Sequence, residues 1–278
     1  MTDTVAGTAS PSARRPAARG LIALDVDGTV LLEDETLSPG VVDAIAHASG
    51  AGNEVMLATG RSWGGTERVL RALGMTPEFV VCSNGAVVLR RTGDAYERFH
   101  TETFDATEVL QLLVQHLPDA HYMVELPDGH RLYTEQLEHW NLADATQVPF
   151  EGLSAQPVCR VVVVSPGQSD EDFMELVERI GLHHVSYAIG WTAWLDIAPL
   201  GVDKSTALEL VRAELGVDGG GIVAIGDGRN DLGMFAWARE HGGRAVAMAQ
   251  APREVRDAAS EVTASVHDGG AADVLRRL

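Results

Sequence analysis

Two aspartates, one residue apart, stand where an apolar run ends near the start of the chain. Residues 21–24 read Leu-Ile-Ala-Leu, and Asp25, Val26, Asp27 and Gly28 follow. An uninterrupted apolar run predicts a strand buried on both faces, and positions i and i+2 of a strand lie on one face. Two neighbouring carboxylates repel each other, so a cation or a shared proton must accompany them. A divalent metal ion would meet that need, although Asp and Gly are also ordinary turn residues.

Further polar groups follow apolar runs or open helices elsewhere in the chain. In an open parallel sheet, ligands bind beyond the carboxyl ends of the strands. Taken singly, each group could be a plain turn, a strand end or a surface lysine. Taken together and in this order, they predict one site. These residues are Thr59, Gly60, Arg61, Asn84, Lys204, Asp227, Asn230 and Asp231.

The elements that must position these residues follow a strand–helix rhythm. Three apolar runs alternate with helical segments up to residue 86, which predicts an α/β fold with a doubly wound parallel sheet. Ser38 and Pro39 are predicted as the N-cap and first position of the first helix. The rhythm becomes mixed over residues 87–195 and returns afterwards. We therefore expect a core at 20–86 and 196–278, an inserted α+β cap at 87–195, and a disordered tail at 1–19.

The composition restricts partners and compartment. The 278-residue chain has 45% hydrophobic residues and a formal net charge of −19. Such a charge disfavours nucleic acid and anionic membranes, so an anionic substrate needs a local cluster of positive charge. The two cysteines, Cys82 and Cys159, form no C-x-x-C motif, which favours a reducing, cytoplasmic setting. No apolar stretch approaches the roughly 20 residues of a membrane span.

In their set and order, the polar groups resemble the motifs of the haloacid dehalogenase (HAD) superfamily. The resemblance runs from about residue 20 to the C-terminus, and its details match the Cof-like (type IIB) branch, which carries a C2-type cap. It implies a Rossmann-like core and a phosphatase that acts on a small phosphorylated metabolite. We expect the protein to be cytoplasmic and to be a monomer or a homodimer. The stretches that carry it are Thr59-Gly60-Arg61, Ser83-Asn84-Gly85-Ala86, Gly201-Val202-Asp203-Lys204 and Gly226-Asp227-Gly228-Arg229-Asn230-Asp231.

The resemblance also implies a role for each residue. Asp25 would be the nucleophile that forms an aspartyl-phosphate, and Asp27 the general acid and then base. Mg²⁺ would be held by the side chains of Asp25 and Asp227 and by the Asp27 backbone carbonyl. Asp231 would act through water or by holding Lys204. The residues expected to bind the phosphate or the leaving group are Thr59, Gly60, Arg61, Asn84, Lys204 and Asn230.

One loop departs from the pattern, and three other functions stay open. Met248-Ala249-Gln250-Ala251 stands where this branch commonly has Met-Gly-Asn-Ala. A phosphomutase would use the same acids, so product analysis must separate it from a phosphatase. A signalling receiver module also surrounds an aspartyl-phosphate with acids, Thr and Lys. The D-x-D spacing, the late acidic pair and the cap argue against it. A non-catalytic binder of a metal or a phospho-ligand is the third alternative.

Overall fold

The computed structural model describes residues 20–136, 142, 145–166, 169–182, 184–189 and 194–278. The tail predicted at 1–19 lies outside the described residues. Within the described ranges, no helix has the length and apolarity needed to cross a membrane.

The first part of the chain builds one half of the core. Leu21 and Ala23 pack into one apolar cluster, while Ile22 and Leu24 pack into another. The first strand is therefore covered on both faces, as its continuous apolar run predicts. The elements in order are β1 (Leu21–Leu24), α1 (Val41–Gly50), β2 (Glu54–Leu57), α2 (Trp63–Leu73), β3 (Phe79–Cys82), β4 (Val87–Thr92) and β5 (Ala95–Thr101).

The middle of the chain forms a second sheet with its own core. Six strands lie in the order β10-β11-β9-β6-β7-β8, and all pairs are antiparallel except β7 with β8. Apolar side chains of both helices, such as Leu110 and Phe173, are buried in this core. The elements are α3 (Thr107–His116), β6 (His121–Glu125), β7 (Arg131–Tyr133), β8 (Ala145–Gln147), β9 (Arg160–Val164), α4 (Asp170–Ile180), β10 (Val185–Ile189) and β11 (Trp194–Pro199).

The last part of the chain completes the parallel core sheet. Its five strands lie in the order β14-β13-β12-β1-β2, and every pair is parallel. The predicted α/β class with a doubly wound parallel sheet is confirmed. The remaining elements are α5 (Lys204–Leu215), β12 (Ile222–Gly226), α6 (Leu232–Glu240), β13 (Arg244–Ala247), α7 (Arg253–Ala258), β14 (Glu261–Val262) and α8 (Gly270–Leu275).

Strand pairing bears on where core and cap meet. β3 joins the parallel sheet through a bridge between Ala58 and Val81, and β4 and β5 continue from β3 as an antiparallel hairpin. The hairpin at 87–101 therefore extends the core side. At the other boundary, β11 begins at Trp194 and pairs within the cap sheet up to Pro199. The division at 87 and 195 stays a prediction, and this pairing favours boundaries near 102 and 200.

The predicted start of the first helix is wrong. Gly40, with φ of 70°, caps α1, and the helix begins at Val41. The Ser38 hydroxyl instead donates a buried hydrogen bond of 2.7 Å to the carbonyl of Val266. That tertiary contact takes the side chain away from the helix terminus.

Candidate active site

The ends of two neighbouring strands bring two acids together. β1 lies beside β12 with Leu24 opposite Ile225, so Asp25 and Asp227 leave the sheet at the same edge. The Asp25 amide donates to the Ile225 carbonyl at 2.9 Å, which extends the pairing by one residue. Asp25 is only 5% exposed, and Asp227 only 3%. Two carboxylates are thus held out of water at the carboxyl edge of the sheet.

A buried lysine pairs with this acidic edge. Lys204 is the first residue of α5 and is fully buried. Its Nζ donates to Oδ1 of Asp25 at 2.5 Å and to Oδ1 of Asp231 at 2.7 Å. Burial alone would lower the pKa of Lys204, but the carboxylates of Asp231 and Asp25 raise it above its ordinary value. Lys204 is therefore an ammonium ion at neutral pH.

Asp231 organises the turn that follows β12. Its Oδ2 accepts hydrogen bonds from the backbone N–H groups of Asp227 and Gly228, each at 2.9 Å. Its Oδ1 accepts from Lys204. Both oxygens thus have protein donors, which supports the holding role over direct metal ligation.

Three buried carboxylates lie close to one another at this edge. Oxygens of Asp25, Asp227 and Asp231 all lie within 4.8 Å of one another. Burial raises the pKa of Asp25 to about 7 against the opposing effect of Lys204. Burial, followed by the charge of Asp25, raises the pKa of Asp227 to about 8. Burial and mutual repulsion destabilise the ionised form of these carboxylates, and a divalent cation would relieve both. Carboxylate oxygens are also the ligands that hard divalent cations prefer.

Close contacts around Gly28 tie the first motif to a distant loop. Gly28 has φ of +74°, and a Cβ there would overlap the Asp227 carboxylate, so glycine is required. The Gln250 side-chain amide donates to the Gly28 carbonyl at 2.6 Å and to Oδ2 of Asp227 at 3.4 Å. Gln250 was not among the predicted site residues. The departure of its loop from the family pattern was the only signal.

The second aspartate of the motif faces a different partner. β1 ends at Leu24, so strand alternation does not place Asp25 and Asp27. Nε and Nη2 of Arg61 donate to the two oxygens of Asp27 at 2.9 and 2.5 Å. Nη2 also lies 3.0 Å from the Glu35 carboxylate. The Asp27 side chain is 55% exposed, unlike that of Asp25. The structure thus sets a solvent-accessible carboxylate beside a buried one.

A backbone turn joins the Thr59 and Asn84 motifs. The buried Thr59 hydroxyl accepts from the Arg61 N–H at 3.1 Å, and the Thr59 carbonyl accepts from the Asn84 N–H at 3.0 Å. Ser83 and Asn84 both have left-handed backbone, with φ of 49° and 50°. A Cβ on Gly60 would lie 3.1 Å from the Asn84 amide nitrogen. Two successive left-handed residues without a glycine are costly, as at many functional sites.

A cavity of about 400 Å³ lies between the core motifs and the second sheet. Of the predicted site residues, Asn84 and Asn230 line this cavity, whereas Asp25, Lys204 and Asp227 are not part of its lining. Asp196, on β11, was not predicted and also lines it. The principal side chains on the core side are Ser83, Asn84, Asp203, Arg229, Asn230 and Leu232, and those on the cap side are Arg160, Ser186, Tyr187, Asp196 and Ile197.

These features together define a class of protein. A parallel α/β core holds buried acids and a lysine at its strand ends, beneath a second sheet. The family model of haloacid dehalogenase-like hydrolases matches residues 22–275. The chain belongs to that family, in its Cof-like branch, and is an enzyme of the phosphatase type.

Individual relatives match over most of their length. The 5-amino-6-(5-phospho-D-ribitylamino)uracil phosphatase YitU of Bacillus subtilis (strain 168) is 27% identical over 266 residues, covering 92% of this chain and 96% of its own. The pyridoxal phosphate phosphatase YbhA of Escherichia coli (strain K12) is 27% identical over 258 residues, covering 87% and 92%. The solved structure of the HAD subclass IIB sugar phosphatase BT4131 has a TM-score of 0.75 at 20% identity, covering 93% and 98%, and shows the shared fold.

Proposed function

We propose that this protein is a Mg²⁺-dependent phosphatase that hydrolyses a small phosphomonoester, a sugar phosphate or a phosphorylated cofactor, through an aspartyl-phosphate on Asp25. The observation that carries the proposal is the buried cluster of Asp25, Lys204, Asp231 and Asp227 at the edge of β1 and β12. It supplies a nucleophile, a fixed positive charge and metal ligands in one place. The cavity beside it offers room for a small alcohol.

In the first step, Asp25 attacks the phosphorus atom. Lys204 holds Oδ1 of Asp25, and Oδ2 has no hydrogen-bond donor among the described residues, so Oδ2 is the attacking oxygen. The bond between phosphorus and the leaving alcohol breaks, and Asp27 donates a proton to the alcohol oxygen. A phosphate oxygen can replace Asp27 as the partner of Arg61, which frees the Asp27 carboxyl group to carry that proton.

In the second step, water attacks the phosphorus of the aspartyl-phosphate. Asp27, now a carboxylate, takes a proton from the water as it attacks. The bond between phosphorus and Oδ2 of Asp25 breaks, which releases phosphate and restores the free carboxylate. The same residue thus serves as acid and then as base, and the enzyme returns to its starting protonation state.

The remaining residues hold the phosphoryl group during both steps. Among the described residues, the Thr59 hydroxyl accepts a hydrogen bond but donates none, so it can donate to a phosphate oxygen, and the backbone N–H of Gly60 is a second candidate donor. Lys204 supplies positive charge on the same side. Asp25, Asp227 and the Asp27 carbonyl would hold Mg²⁺, with Asp231 fixing Lys204. When bound, Mg²⁺ neutralises charge on the phosphoryl oxygens.

The proposed substrates are small because the cavity is small and lies under the cap. The relatives' names include phosphate esters of a ribityl-substituted uracil and of pyridoxal, and one fold neighbour is a sugar phosphatase. These names support the sugar phosphate and phosphorylated cofactor classes for this chain. Cys82 and Cys159 are buried free thiols, which supports the proposed cytoplasmic setting.

The test is phosphate release from a panel of sugar phosphates, nucleotides and phosphorylated cofactors, with Mg²⁺ and with EDTA. We expect release only with Mg²⁺, and a loss of at least about a thousandfold in Asp25→Asn. This isosteric change leaves Lys204 paired with Asp231, so circular dichroism should show an intact fold.

The control is Asp128→Asn, a change on an exposed cap loop that should leave turnover unaltered. Metal-independent turnover, or retained activity in Asp25→Asn, would overturn the proposed mechanism. Transfer of the phosphoryl group to a second hydroxyl, without release, would identify a phosphomutase instead.

A further inference from the structure

A nearly buried ion pair of the cap faces the cavity. Arg160 on β9 and Asp196 on the adjacent β11 both line it, and their side chains are 7% and 13% exposed. Nε and Nη2 of Arg160 donate to the two oxygens of Asp196 at 2.6 and 2.8 Å. Burial alone would lower the pKa of Arg160, but Asp196 raises it above its ordinary value. Arg160 is therefore a guanidinium cation held in place by two hydrogen bonds to Asp196.

This pair is linked to the catalytic core through Asn84. The Asn84 side-chain amide donates to Oδ2 of Asp196 at 3.3 Å, and its oxygen accepts from the Asn230 amide at 3.1 Å. Asn230 directly precedes Asp231, which holds Lys204. Asn84 and Asn230 thus continue the polar lining of the cavity from the cap pair to the residue that precedes Asp231.

The charges that line the cavity balance one another. Its charged lining residues are two arginines, Arg160 and Arg229, and two aspartates, Asp196 and Asp203. Arg229 is paired with Glu254 at 2.7 Å, and Asp203 accepts from backbone N–H groups of α5. None of these four groups is left without a compensating partner. A second charge on a bound substrate would have to displace one of these partners or stay unpaired in a partly closed site.

We propose that the Arg160–Asp196 pair selects leaving alcohols that are polar but carry no charge of their own, such as polyols and sugars. This inference rests on the proposed phosphatase function. Guanidinium N–H groups donate to hydroxyl oxygens, carboxylate oxygens accept from hydroxyls, and the amides of Asn84 and Asn230 do both. An extra carboxylate on the alcohol would be repelled by the negative charge of Asp196. An extra ammonium group would be repelled by the positive charge of Arg160.

The experiment compares substrates that differ only by one oxidised carbon. Glycerol 3-phosphate is paired with 3-phosphoglycerate, and sorbitol 6-phosphate with 6-phosphogluconate. For the wild-type enzyme we expect kcat/KM to be at least about tenfold higher for the neutral member of each pair. Asp196→Asn keeps the shape of the side chain but removes the carboxylate charge that the Arg160 guanidinium contacts. The ratio should then shift by about tenfold or more toward the carboxylated member.

A second variant, which removes the arginine of the pair, should shift the substrate preference toward cationic alcohols. It also provides a test if Asp196→Asn fails to fold. Arg160→Met leaves the Asp196 carboxylate unpaired, so this variant should favour glucosamine 6-phosphate over glucose 6-phosphate relative to wild type. Asp128→Asn, on the exposed cap loop, should change neither ratio. Thermal melting establishes which variants are folded.

Two failures are distinguishable. If p-nitrophenyl phosphate is hydrolysed but both ratios stay unchanged in the folded variants, the selectivity inference is overturned and the phosphatase stands. A wild-type preference for the carboxylated esters has the same meaning. If no phosphomonoester is hydrolysed, the proposed function fails, and the inference that rests on it fails too.

Discussion

The charges of four buried side chains explain why the site should need a cation. Asp25, Asp227 and Asp231 are three carboxylates, and Lys204 is the ammonium ion that contacts two of them. When all are ionised, two negative charges stay uncompensated within this cluster, away from water. A divalent cation would balance them, and protons would do so in its absence. The raised pKa values of Asp25 and Asp227 reflect this alternative.

Gln250 is the residue whose role can be tested most directly against metal binding. Its amide fixes both the Gly28 carbonyl and the Asp227 carboxylate, and its oxygen accepts from the Val266 N–H at 3.0 Å. Groups that orient metal ligands typically contribute 10- to 100-fold in metal affinity. We expect Gln250→Ala to weaken Mg²⁺ binding by about that factor, measured by isothermal titration calorimetry.

The matched control is Gln147→Ala. The Gln147 amide also donates to a backbone carbonyl, that of Thr134 at 2.8 Å, but on the cap. Its loss should leave the Mg²⁺ dissociation constant unchanged. An unaltered constant in Gln250→Ala would show that the loop packs against the site without orienting Asp227.

At the scale of elements, the acids could be placed from sequence because their strands are simple. β1 and β12 are short, wholly buried apolar runs, so a carboxylate directly after each had to lie at the sheet edge. Lys204 could be placed because Asp203 is a strong helix N-cap. The role of Ser38 could not be predicted. The local pattern that indicates a helix N-cap does not reveal a distant hydrogen-bond acceptor such as the Val266 carbonyl.

The edge formed by β1 and β12 makes stability depend on pH and metal together. In the metal-free protein, the pKa values of Asp25 and Asp227 are raised from an ordinary 3.8 to about 7 and about 8. The folded state then binds protons more tightly than the unfolded state. This contribution to stability is fully present below about pH 4 and is lost as the pH rises to about 8.

We therefore expect the melting temperature in EDTA to fall, on the order of 5 °C, between pH 5 and pH 8. Mg²⁺ binds the ionised carboxylates, so the rise in melting temperature that it causes should be larger at pH 8 than at pH 5. Differential scanning fluorimetry measures both effects, and Asp227→Asn should flatten the metal-free profile. A melting temperature that climbs with pH in EDTA would contradict the assigned shifts.

At the scale of the whole molecule, sequence patterns identified a cap but not which of its residues reach the core. Asn84 and Asp196 are 112 residues apart, and Gln250 and the Gly28 carbonyl are 222 apart. Neither contact follows from local periodicity, because each depends on how separate elements pack. The hairpin at 87–101 was assigned to the cap for the same reason. Its sequence pattern resembles that of the antiparallel cap strands, whereas its pairing with β3 extends the core side.

The net charge of −19 predicts how salt should affect the whole enzyme. Among the described residues, the cations of the site and its cavity have carboxylate partners: Lys204 with Asp25, Arg61 with Asp27, Arg160 with Asp196, and Arg229 with Glu254. Little positive potential is thus left to attract a phosphate dianion against the acidic surface. Salt screens repulsion between like charges, with a Debye length that falls from about 30 Å at 0.01 M to about 8 Å at 0.15 M.

We expect kcat/KM for the preferred phosphomonoester to rise about two- to fivefold when KCl is raised from 10 to 150 mM at saturating Mg²⁺. The change should be seen in KM, because screening affects the association of substrate with enzyme. The kcat should stay unchanged, because it depends on the buried cluster, which salt screens much less. Sucrose of equal osmolality is the control and should have no such effect. A fall in kcat/KM with salt would mean that local cations dominate the field at the cavity, despite their pairing and the charge of the molecule as a whole.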